Sequence, residues 1–276
     1  APARRNCSLR LCSRTRKSRA GISSDMESVN ININLPSSWE ELDDKMLRYV
    51  YALIAKDFSI DEVKVLALVK WGGCRVLGRS EGQAFLLSFG KEMAVVQCVQ
   101  LAQVMTALDW LENIPSTPVR LEKIRRHRPV AADFQGVPFE KLIIAENLYQ
   151  GFLATRNDAM LDELAGVLYP GLSGKLAPEE RISVFYWVAA LKNMLAMRFP
   201  DFYQPTSDDT QNLLGSERAI GTVLQEAMDA QIRALTKGDI TKETEILAMD
   251  TWRALTELNA QAKEYKQINE KINDKK

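Results

Sequence analysis

This chain of 276 residues has one histidine, four cysteines, no internal repeat of fixed period and no apolar run approaching the ~18 residues that crossing a bilayer takes. Each scarcity excludes something. A lone imidazole, His127, cannot build a histidine-rich metal site, and no GxSxG elbow or paired catalytic Cys/His signature accompanies it. Cys7, Cys12, Cys74 and Cys98 are too far apart and too irregular for a zinc knuckle and read as the reduced thiols of a cytosolic protein. No cofactor, metal or membrane is expected.

Acidic residues are also missing from the opening stretch APARRNCSLRLCSRTRKSRAGISSD until Asp25, while seven basic residues lie within it. The whole chain balances 36 Lys and Arg against 36 Asp and Glu, but from Met26 onward 29 basic residues face 35 acidic ones, a net −6. An acidic body argues against a general nucleic-acid surface. The stretch has no apolar core of a secretory signal. Its Arg and Ser content fits a transit peptide, but the clean beginning at Met26 favours upstream translation or a mis-called start. Residues 1–25 are therefore expected to be a disordered, dispensable basic leader.

What is present is a mainly helical pattern. With 46% hydrophobic and 26% charged residues, the chain can bury a sizeable core. Pro36, Ser37, Ser38 and the following acids predict a helix start, continued by Trp39, Leu42, Met46, Val50 and Leu53 at helical spacing. Ser59 and Glu62 stand at capping-box spacing before a second helix that stops at Gly72 and Gly73. Short apolar runs punctuated by Gly78, Gly82 and Gly90 predict two or three strands near 74–96, with a hairpin across FGKE. A helix through Val99, Val104, Leu108 and Leu111 ends at Pro115, and a proline-rich connector follows, either irregular or strand-like over 118–133.

The remainder reads as helix after helix, with a long loop at PDFYQPTSDDTQNLLGSE and a helix around 220–235. In PEERISVFYWVAALKNMLAMRF, Pro178 opens the helix and the apolar run Ile182 to Leu191, with Phe185 and Trp187, marks a central buried helix. The closing segment places Ile246, Met249, Trp252, Leu255, Leu258, Ala262, Tyr265, Ile268 and Ile272 at three- and four-residue intervals, and its apolar content thins toward a projecting end. The predicted fold is mainly α: a leader (1–25), an N-terminal α+β part (26–138) with the small β element, and a helical, bundle-like part (139–276).

Three features of the sequence bear on chemistry. GCRVLGRS matches phosphate-loop spacing from Gly73 to Ser80, except that Arg79 replaces the required Lys, and a capped helix precedes it where a strand is needed. KIRRHRP reads first as an exposed basic turn, with contact of an anion or nucleic acid through Arg125, Arg126 and Arg128 as its rival. The acid pairs Glu40–Glu41, Asp43–Asp44 and Asp208–Asp209 are adjacent residues that point apart on a helix, which does not suit general acid–base work. No catalytic constellation emerges.

ALDWLENIPSTPVRLEKI, ADFQGVPFEKLIIAENLYQGFL, ERISVFYWVAALKNMLAMRFPDFYQP and QIRALTKGDITKETEILAMDTWRALTELNAQAKEYK resemble an uncharacterised tail-cluster protein type of phages and prophages from Bacteroides-like gut bacteria. The terminal WRALTELNAQAKEYKQ is similar to the helical ends of tail assembly chaperones. The resemblance implies a non-enzymatic role in tail assembly or as a minor virion component, binding a helical tape-measure or tail-tube protein in the bacterial host cytoplasm or the virion. Homo-oligomers are compatible with it. The partner-binding residues it suggests are Trp252, Leu255, Leu258 and Tyr265. The alternatives are a nucleic-acid-associated protein using the turn 123–128 and a nucleotide-binding enzyme using the loop 73–80.

Overall fold

The computed structural model describes residues 5–13, 27–80, 84–90, 92–203 and 229–273. The architecture is mainly α, and the chain divides between Ile114 and Pro115 into two compact units.

The first unit carries strands β1 (Arg5–Ser13) and β2 (Glu27–Leu35), helices α1 (Asp44–Ile54) and α2 (Ile60–Trp71), strands β3 (Cys74–Ser80), β4 (Ala84–Phe89) and β5 (Glu92–Gln97), and helix α3 (Cys98–Met105). The sheet is antiparallel between neighbours, in the order β2-β1-β5-β4-β3. The β3–β4–β5 meander occupies the segment expected for it, and Phe89 pairs with Glu92 across the FGKE turn. The basic stretch departs from expectation: Arg5–Ser13 is a strand paired along its whole length with β2, so disorder does not describe it. Its alternating residues suit a strand once β2, ESVNININL, supplies a partner with the same two-residue period.

The first helix also starts later than the serines suggest. Trp39–Glu41 is a single 3-10 turn, Leu42 is extended, and Asp43 caps α1 by accepting from Met46 N–H (2.8 Å). Ser37 is occupied instead with the Glu41 carboxylate, through its own N–H (2.7 Å) and hydroxyl (2.9 Å). The break turns Trp39 into an aromatic cluster, stacked on Tyr51 and edge-on to Trp110, which lies parallel to Trp71. Ser59 and Glu62 form the capping box of α2. Gly72 ends that helix where a Cβ would lie 2.6 Å from the Leu68 carbonyl oxygen and 3.1 Å from Ile33, so no larger residue fits. On α2, Lys64 is buried and bonds both Asp109 (2.6 Å) and Glu112, on the 3-10 turns Thr106–Glu112 that continue α3. Burial alone would depress its ammonium pKa, but the two carboxylates outweigh it and hold the pKa above the usual value.

The second unit contains α4 (Phe139–Thr155), α5 (Asp158–Leu168), α6 (Pro178–Arg198), a helical stretch at 229–236, α7 (Glu243–Ala248) and α8 (Thr251–Asn273). The predicted long loop and the start of the helix around 220 lie mostly outside the described residues. α6 is the central helix: Val184, Trp187, Ala190, Leu191 and Leu195 are wholly buried, and Phe185 is half-buried against Tyr149 and Phe152.

The connector 115–138 belongs to this unit, so the boundary falls before it and not at Pro138. Leu121, Ile124 and Phe134 are fully buried there. Between 118 and 133 the backbone forms no strand, only one isolated bridge between Ile124 and His127. Its carbonyls are taken by side chains: Tyr169 O–H donates to Leu121 (2.9 Å), Trp187 Nε1–H to Ala132 (2.8 Å) and Trp252 Nε1–H to Asp133 (2.8 Å). Prolines that lack an N–H, together with bulky donors from α6, α8 and the residue that ends α5, make this an irregular strap.

Candidate partner-binding site

The closing segment is two helices, not one. Met249 is extended, and Asp250 restarts the chain by accepting from Arg253 N–H (3.0 Å) and from Gly136 N–H (2.6 Å). Thr251 donates to the Val137 carbonyl through both its N–H (2.9 Å) and its hydroxyl (2.7 Å), and Phe139 N–H donates to Met249 (2.8 Å). The root of α8 is therefore stitched to the strap by backbone-level bonds that any rigid-body movement would have to break.

Above this root, Trp252 packs edge-on to Phe199 (5.9 Å between ring centroids), with the Arg198 guanidinium over its face (5.8 Å). Ala254, Leu255 and Leu258 are buried, and Asn259 Oδ1 accepts from the N–H groups of Asp201 and Phe202 (2.9 and 3.1 Å). Beyond Ala262 the helix leaves its packing: every residue described from Lys263 to Ile272 is exposed. Tyr265, Ile268 and Ile272 are 69%, 55% and 51% exposed. Of the four residues suggested for partner binding, Leu255 and Leu258 are buried in the protein's own core, Trp252 is half-buried against Phe199 and Arg198, and Tyr265 is largely exposed. Ile268 and Ile272, which the suggested set omitted, complete the free stripe. The thinning of apolar residues along the segment is the signal that separates the two groups.

The other candidate sites fall elsewhere. Gly73 to Ser80 runs from the end of α2 into β3, a helix-to-strand order opposite to that of a phosphate loop. In the basic turn, Arg125 has a left-handed backbone, and its guanidinium donates to the carbonyls of Ser173 (2.8 Å) and Lys175 (2.6 Å). His127 Nδ1 lies 3.0 Å from the Pro170 carbonyl oxygen. Arg125 thus staples the loop before α6, while Arg126 and Arg128 are exposed. The ion pairs of Arg181 are also structural. Arg181 bonds Asp162 through two nitrogens (2.8 Å each) and Asp158 through a third, and these bonds hold the Asp162 carboxyl below its usual pKa. Among the described residues no group of three His, Cys, Asp or Glu side chains is placed to hold a metal ion, and no helix is long and apolar enough to cross a membrane.

No family model matches the chain, and neither does any curated protein or solved structure.

Proposed function

We propose that this chain is a non-enzymatic interaction protein that binds an amphipathic helix along the free end of α8. The observation that carries the reading is the contrast within one helix. The root is locked by hydrogen bonds and by the packing of Trp252 on Phe199, and the continuation presents Tyr265, Ile268 and Ile272 to water at helical spacing. Stranding three large apolar side chains on a rigid rod has a hydration cost that a partner helix would remove. The resemblance of the sequence to phage tail-cluster proteins supports reading this activity as tail assembly or a minor virion role, with a tape-measure or tail-tube helix as partner.

The test is co-expression with the tape-measure protein of the same tail-gene cluster. Copurification should be lost in Ile272→Lys and retained in Arg126→Ala. Retention by Ile272→Lys would refute the site. A chaperone should be missing from mature particles, and a virion component should be present in them.

A further inference from the structure

We propose that a cleft between the start of α1 and the end of α2 is a small-molecule site that takes a flat aromatic ring carrying one carboxylate. The cleft is lined by residues of the first unit alone and is independent of the helix-binding reading of α8.

Its volume is about 270 Å³, just under the range of roughly 300 to 1,000 Å³ usual for ligand pockets, so it suits one ring with a short acidic arm. Met46, Tyr49 and Trp71 line it half-buried, and Lys45 and Lys70 stand exposed at its rim beside Asp43. Exposed lysines beside a cleft are common and would mean little by themselves.

The indole of Trp71 adds an independent observation. The chain has five tryptophans, and four of their N–H groups have an acceptor: Trp39 donates to the Asn113 carbonyl (2.9 Å), Trp110 to Pro36 (3.2 Å), and Trp187 and Trp252 to the strap (2.8 Å each). The Trp71 N–H is shielded from water and, among the described residues, meets no acceptor. A shielded donor without an acceptor is costly. Its ring is stacked on Trp110 (6.4 Å between centroids), which limits its freedom to turn outward.

The rim charges are unspent as well. Among the described residues neither Lys45 nor Lys70 makes an ion pair, and the Lys70 ammonium rests on the Tyr49 ring, 5.8 Å from its centroid. Asp43 accepts from Met46 N–H (2.8 Å) as the cap of α1. Two ammonium groups and one carboxylate leave the rim at a net charge of +1, which a carboxylate neutralises and a phosphate dianion overshoots. The lining of two aromatic rings and a polarizable thioether favours a flat aromatic body. One carboxylate oxygen of the ligand meets the lysines and the other accepts from the Trp71 N–H, for which a lining side chain has to swing aside.

Titration of the full chain, isotope-labelled at the indole nitrogens, with phenylacetate tests this by NMR, with Trp71→Phe identifying the Trp71 resonance. Phenylacetate should move that resonance downfield and leave those of Trp187 and Trp252 in place, saturating in the low-millimolar range because the ligand is small. The uncharged isostere phenylacetamide should bind about tenfold more weakly. In calorimetry, Lys45→Gln and Lys70→Gln, at exposed positions where folding is unaffected, should each weaken phenylacetate by up to about fivefold. A Trp71 resonance that stays in place at about 20 mM phenylacetate overturns the site. Equal binding of phenylacetamide, or unchanged affinity in both lysine variants, overturns the recognition of an anion. Tighter binding of phenyl phosphate overturns the choice of a monoanion.

Discussion

Leu258 and Ile272 occupy the same heptad position on α8, two heptads apart, and should respond very differently to truncation. Leu258 is 4% exposed, so Leu258→Ala removes a fully packed side chain and leaves a cavity. Core Leu→Ala changes cost about 2 to 5 kcal/mol, and a site next to the point where the helix leaves its packing should relax partly, giving about 3 kcal/mol. That is roughly two orders of magnitude in the unfolding equilibrium constant. Ile272 is 51% exposed and sits on the solvent-exposed end, so Ile272→Ala should change stability by less than about 0.5 kcal/mol. Urea titrations followed by far-ultraviolet circular dichroism would measure both. Equal costs at the two positions would refute the division of α8 into a packed root and a free end, and the proposed site with it.

Trp187→Ala should cost about 3 to 5 kcal/mol, because the indole is fully buried, edge-on to Tyr169 and bonded to the strap at Ala132; Trp187→Phe, which deletes that bond and leaves the carbonyl unpaired, should still cost about 1 to 3 kcal/mol in the same titration. Arg125→Ala should lose about 1 kcal/mol and speed hydrogen exchange over the loop before α6, while Arg126→Ala and Arg128→Ala stay within about 0.5 kcal/mol. If the basic turn bound nucleic acid, the latter two variants would instead lose salt-dependent DNA binding in a filter assay, with stability unchanged. Asp162→Asn should cost about 2 to 3 kcal/mol near neutral pH by leaving Arg181 with Asp158 alone. Because the folded pKa of Asp162 lies below its unfolded value of about 3.9, its contribution is present above that pH and is lost as pH falls through the folded pKa. The variant should therefore converge with the parent protein in acid melts.

Much of the local structure was legible because it is written in short-range chemistry. Ser59 and Glu62 cap α2 whatever surrounds them, Gly72 ends it, and Pro178 with two glutamates opens α6. The late start of α1 was not legible, because the Ser37 hydroxyl had a rival acceptor in Glu41, and Trp39 gained more from Tyr51 and Trp110 than from continuing a helix. The strand at Arg5–Ser13 needed a partner that composition alone does not reveal. For the candidate site, periodicity identified the apolar face of the last helix but could not say where along it the protein's own core ended.

The sequence by itself determined the helical pattern, the capping box of α2, the short strands near 74–96 and the three- and four-residue apolar spacing of the C-terminal segment, because each depends on neighbours within a few residues. Only the tertiary structure decided that the strap 115–138 joins the helical unit, that Arg125 is spent on a loop, and that Leu255 and Leu258 are core and Trp252 is half-buried against Phe199 while Tyr265, Ile268 and Ile272 are exposed. Those outcomes turn on which distant carbonyls and side chains meet: Val137 with Thr251, Asp133 with Trp252, Asn259 with Asp201. An apolar residue at helical spacing has the same pattern whether its neighbour is the protein's own core or water, and long-range packing alone tells the two apart.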